Sequence, residues 1–112
     1  MDTVRNLSAT TQEEMKELVE DLAKHVQKEL NAQSKYVWKV TYQIEHLDFC
    51  FIAETKMPNG ERYAVRSRSY DAKAINDIGN SGIILEAATM IVVHYDKVAE
   101  RMEGNQRKRD GN

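Results

Sequence analysis

Apolar residues recur at spacings of three and four from Met15 through Leu18, Val19, Leu22 and Val26 to Leu30. That spacing marks one stripe of an amphipathic helix. The opposite side carries Glu17, Glu20, Asp21, Lys24 and Lys28, with Glu20 and Lys24 one turn apart in the favourable order. Thr11-Gln12-Glu13-Glu14 has the form of a capping box, in which the Thr11 hydroxyl bonds the Glu14 amide and Glu14 reaches back. The pattern predicts a helix from about Thr11 to Asn31. Residues 1–10 show no period and are expected to be flexible.

From Tyr36 to Glu45 the period changes to two. Tyr36, Trp38, Val40, Tyr42 and Ile44 fall on one side, and Lys39, Thr41, Gln43 and Glu45 on the other, which predicts a half-buried strand. Glu45-His46-Leu47-Asp48 then reads as a turn without glycine. Between Phe49 and Tyr70 the sequence sets its own register. Met57-Pro58-Asn59-Gly60-Glu61 supplies a proline that presets φ and a glycine able to turn left-handed, which closes a three-residue hairpin loop with a bulge. That loop pairs Lys56 with Arg62, Thr55 with Tyr63 and Ala53 with Val65. One face collects Phe49, Phe51, Ala53, Tyr63 and Val65. The other collects Glu54, Lys56, Arg62, Arg66 and Arg68. A two-residue loop would set Phe51 against Arg68 on a mixed face.

Asp71 suits the cap of a helix running through Ile75 and Ile78. Gly79-Asn80-Ser81-Gly82 interrupts it, since glycine inside a helix costs about 1 kcal/mol relative to alanine, and Asn80 or Ser81 can cap a new start. A long helix is predicted from about Ser81 to Met102, followed by a disordered basic tail, 104–112, that contains Arg107-Lys108-Arg109. The predicted fold class is α+β: a two-layer sandwich in α-β-β-β-α order, with a three-stranded antiparallel meander and both helices on one face. Residues 11–103 form its single domain.

Composition narrows the field of functions. The chain has 112 residues, 30% charged and 41% hydrophobic, with a net charge of −2, so nothing pulls it as a whole toward nucleic acid or an acidic membrane. The single cysteine, Cys50, allows no internal disulfide and suits a reducing compartment, so the expected location is cytoplasmic. The longest nearly apolar run, Ile83 to Val93, is far short of a membrane span, and no membrane partner is expected. His25, His46 and His94 have no second ligand at a metal spacing, and Cys50 shows no local setting for nucleophilic chemistry. No cofactor, metal or catalytic residue is expected, and the chain is read as a non-enzyme.

Two surfaces remain as candidates. Nine of the eleven residues from Ile83 to Val93 are apolar, more than one sheet-facing stripe needs once Ile84, Ala88, Ile91, Tyr95, Val98 and Met102 supply that stripe. Ile83, Leu85, Met90, Val92 and Val93 are therefore expected at an interface, either in a homodimer or against another protein. This gives the leading expectation: a small protein–protein interaction module of adaptor, accessory or inhibitor type, homodimeric through its last helix. The alternative is a nucleic-acid-binding module, with Arg62, Arg66, Arg68, Lys56 and Lys39 on the polar sheet face contacting phosphates and the basic tail assisting.

The element order over about residues 11–102 is similar to that of double-stranded RNA binding domains. Those contact successive grooves through a helix, the loop between strands one and two, and a lysine-rich start of the last helix. Here that start reads Asp71-Ala72-Lys73-Ala74-Ile75-Asn76-Asp77, with one lysine and two aspartates, and His46 lacks the family's Gly-Pro flank. The resemblance is one of topology and carries over no site residue.

Overall fold

Helix α1 covers Gln12–Gln33 and turns its predicted stripe inward: Met15, Val19, Leu22, Val26 and Leu30 are buried, with Ala23 beside them. The computed structural model describes residues 12–110, with side chains described over residues 13–101. The expected flexible N-terminus, the Thr11 half of the capping box and the last two tail residues lie outside the described residues.

Strands β1 (Lys39–Glu45), β2 (Asp48–Lys56) and β3 (Arg62–Arg66) form one antiparallel sheet in the order β1-β2-β3. The register is the one set by the Pro58 loop: Lys56 opposes Arg62, Thr55 opposes Tyr63 and Ala53 opposes Val65. Gly60 N donates to Met57 O at 2.8 Å, and Gly60 takes φ +89, the left-handed position the loop requires. The β1–β2 turn is tighter. Glu45 opposes Asp48, so His46 and Leu47 alone form the loop, and His46 takes φ +58 where glycine is usual. Phe49, Phe51 and Ala53 point to the helices and are buried.

Beyond β3 the ladder gains one residue. Ser67 N donates to Phe51 O at 2.8 Å, and the next bonded pair is Phe49 with Tyr70, at 2.9 and 2.7 Å. Cys50 therefore faces both Arg68 and Ser69, a β-bulge that reverses the side-chain parity. Tyr70 turns into the core, stacked on Phe49 with ring centroids 5.8 Å apart. Arg68 turns off the open sheet face toward the helix layer, which corrects the expectation that it lies beside Arg62 and Arg66.

Helix α2 runs over Ala72–Asp110, with Asp71 Oδ1 accepting from Ala74 N at 3.0 Å as its cap. The predicted break falls at Gly79, whose φ 72 and ψ 171 belong to no helix. Past Met102, where the apolar pattern stops, the helix continues to Asp110, so the segment expected to be disordered from Gly104 is helical to that point. Glutamate, glutamine, lysine and arginine, which recur past Met102, are good helix formers. α1 and α2 cover the same sheet face. Trp38, Tyr36 and Tyr63 gather on Tyr95 at one end of the core, while Phe49, Phe51 and Tyr70 fill the other.

Candidate interaction surfaces

The inner side of α2 is Ile83, Ala87, Ala88, Ile91 and Tyr95, all buried. Ile83 is 0% exposed, so it belongs to the core and not to an outer interface. Its neighbours in turn sequence, Ile84, Val92, Val98 and Ala99, are partly buried against that core. The outer side keeps Leu85 at 55% exposure, Met90 at 61% and Val93 at 42%, and Ile78 before the kink at 40%. Of the five interface residues read from sequence, Leu85, Met90 and Val93 lie on the surface, Val92 is at its margin and Ile83 is inside. By length and composition, α2 over Ala72–Arg101 could also cross a membrane. Its inner stripe is a wall of the core, so withdrawing it into lipid would dismantle the packing against α1 and the sheet.

Where β3 meets α2, a hollow of about 290 Å³ is lined by residues that include Val65, Arg66, Ala87, Met90, Ile91 and His94. Its end is closed by a polar cluster. Arg68 Nε donates to Glu86 Oε1 at 2.6 Å, Tyr70 Oη donates to the same oxygen at 2.9 Å, and the guanidinium lies 4.4 Å from the Tyr70 ring centre. The hydrogen bond from Arg68 holds the Glu86 carboxyl below its usual range. Burial, with the Glu86 hydrogen bond, pushes the Tyr70 phenol well above its usual value. Tyr70 and Glu86 thus remain a donor and an anion across the ordinary pH range.

At the opposite end of the sheet a hollow of about 490 Å³ is lined by Lys35, Lys39, Lys56 and Arg62, together with Tyr36, Val37, Trp38, Glu54 and Thr55. Lys56 and Arg62 are directly opposed across β2 and β3, a like-charge pair that costs stability. Among the described residues, none of these four cations has a salt bridge. Beneath them, burial and the neighbouring Tyr36 push the Tyr95 phenol up to about 12, and its hydroxyl lies 3.5 Å from Lys56 O as donor. The indole Nε1 of the buried Trp38 has no hydrogen-bond partner among the described residues. The five cations proposed from sequence therefore divide. Lys39, Lys56 and Arg62 meet at this end, Arg66 lies along the sheet where it donates to Gln43 Oε1 at 3.0 Å, and Arg68 is committed to Glu86.

A third hollow, of about 290 Å³, brings His46, Cys50, Glu45 and Asp48 together with Gln43, Arg66 and Ser69. His46 and Cys50 line the same hollow from the turn and from β2. Cys50 is 6% exposed, and no hydrogen bond joins the thiol to the imidazole. An activated thiol needs a base within hydrogen-bond reach. Among the described residues no group of three or more histidine, cysteine, aspartate or glutamate side chains could hold a metal ion.

Sequence reasoning missed the Arg68–Glu86–Tyr70 cluster, since it depends on the bulge. The available signal was Tyr70 itself, a large aromatic falling on the parity otherwise reserved for charged residues. No family model matches the chain, and no curated protein or solved structure matches it. The likeness to double-stranded RNA binding domains therefore stays at the level of element order, and function has to be argued from the surfaces.

Proposed function

We propose that this chain is a small non-catalytic protein-binding module of adaptor, accessory or inhibitor type, and that a second copy of itself is its first partner. The observation that carries the reading is the exposure of Leu85, Met90 and Val93 on the outer side of α2, a helix whose inner side is already filled by core residues. Several large apolar side chains left exposed on one helix mark an interaction surface. Leu85 and Val92 are seven residues apart with Val93 adjoining, so two such helices can lie along one another. Each then presents the same residues to the other, as a twofold pair requires.

Sedimentation velocity of the wild type against a Leu85→Glu, Val93→Glu double variant tests this. The wild type is expected to sediment as a dimer, and the variant as a folded monomer with unchanged circular dichroism. Ile83 is unsuitable for the test because a charge at a fully buried position unfolds the chain. A wild type that stays monomeric as its concentration rises overturns the homodimer. One that also captures no protein from its host's extract overturns protein binding.

A second reading rests on the four cations around the Trp38 hollow, none of which has a salt bridge among the described residues. An anionic group seated there would relieve the repulsion between Lys56 and Arg62, and phosphate is the anion a nucleic acid offers. The net charge of −2 and the acidic outer side of α1 oppose long-range attraction of a polyanion, which places this reading second.

A further inference from the structure

The two edges of the sheet are finished differently. On the β1 edge, α1 caps one end: Val40 N donates to Gln27 Oε1, and Trp38 N, just before the strand, donates to Asn31 Oδ1, each at 2.9 Å. On β3 nothing comparable appears among the described residues. The β2–β3 hairpin is bonded at Met57–Glu61, 2.7 Å, and again at Phe51–Ser67, 2.8 Å. An antiparallel ladder bonds every second pair, so Tyr63 and Val65 turn their main-chain groups toward β2. Arg62, Ala64 and Arg66 turn theirs outward.

The surroundings of that open edge are two-sided. On the helix side lies the hollow floored by Val65, Met90 and His94. On the other side stand Arg62 and Arg66, both exposed and neither in a salt bridge among the described residues. A strand added here would alternate in the same way. Its residues opposite Arg62 and Arg66 would meet positive charge, and those opposite Tyr63 and Val65 would enter the apolar hollow.

From this we infer that β3 receives an extended segment of another protein as a fourth strand, with acidic side chains over Arg62 and Arg66 alternating with apolar ones over Val65 and Met90. A second copy of this chain is the wrong occupant. Two β3 strands paired antiparallel about Ala64 would set Arg62 of each against Arg66 of the other, and like charges directly opposed are destabilising. An acidic strand reverses that sign, and its main chain finds the free groups of Arg62, Ala64 and Arg66. The inference rests on the reading that the chain binds protein; it shares Met90 with the outward side of α2 but uses neither Leu85 nor Val93.

A fluorescein-labelled heptapeptide alternating glutamate and valine, titrated with the full chain and followed by anisotropy, tests the edge. The expected result is saturable binding that weakens as salt is raised, with no binding of the same peptide carrying lysine for glutamate. Arg62→Glu with Arg66→Glu is expected to weaken the glutamate peptide about tenfold and to admit the lysine peptide. Ala64→Pro removes an outward donor while sparing the bonds to β2, and is expected to abolish binding. If that variant loses its fold by circular dichroism, the arginine pair decides. No binding of the glutamate peptide overturns the proposal, as does equal binding by the charge-reversed variant. Sedimentation separates the two readings: a dimer lost on changing Leu85 and Val93 leaves protein binding standing even where the peptide does not bind.

Discussion

Arg68 shows how little a residue's type says about its role before its direction is known. It carries the same charge as Arg62 and Arg66, yet one extra residue in the strand takes it from the open sheet face to Glu86 on α2. The pair is partly exposed, with side-chain exposures of 55% and 37%, so solvent screens it and its worth is about 0.5–1 kcal/mol. Glu86 has its carboxyl depressed in the folded state. Its contribution is therefore present above the unfolded carboxyl value of about 4.3 and is lost as pH falls through the lower folded value. Glu86→Gln is expected to lower the urea midpoint at pH 7, with the difference from wild type shrinking as pH falls through that window. A difference that persists undiminished at the acid end would assign the effect to packing in place of charge.

At the scale of elements, α2 depends on its interruption. Gly79 holds φ 72 and ψ 171, a region open in practice to glycine alone. Substituting alanine for glycine within a helix normally stabilises by about 0.4–1 kcal/mol. Here the sign reverses: Gly79→Ala is expected to destabilise by about 1–3 kcal/mol, measured by chemical denaturation. An equal or higher midpoint would mean that the two parts of α2 can join as one straight helix without loss. The break was legible in Gly79-Asn80-Ser81-Gly82, because two glycines in four residues oppose a continuous helix whatever surrounds them. The inward side of α2 was legible only in part. Ala88, Ile91 and Tyr95 of the stripe beginning at Ile84 are buried, but Ile83 to Val93 is apolar almost all round, and only contact with α1 and the sheet brought Ile83 and Ala87 inside and left Ile84 at the margin.

Across the whole molecule, charge is divided by place more than by amount. A net charge of −2 coexists with a cluster of four cations at one end of the sheet. Attraction from such a patch acts within about a Debye length, roughly 8 Å at physiological salt. Retention of the chain on duplex RNA is accordingly expected to be weak at low salt and absent at physiological ionic strength. Lys56→Glu with Arg62→Glu should remove what remains. Retention that survives physiological salt and vanishes in that variant would move the nucleic-acid reading ahead of the protein-binding one.

Local rules settled what depends on neighbours along the chain. Proline and glycine in the Pro58–Gly60 loop fixed the β2–β3 register, the three-and-four spacing fixed the inner side of α1, and the change to period two fixed β1. Each follows from backbone sterics or from the repeat of one element, which a few consecutive residues contain in full. Tertiary structure alone decided the rest. The bulge that redirects Arg68, the side-chain amides of Gln27 and Asn31 that cap one end of the β1 edge, and the burial of Ile83 all arise between elements apart in sequence. Their outcome turns on which surfaces meet, and no pattern along the chain encodes that meeting.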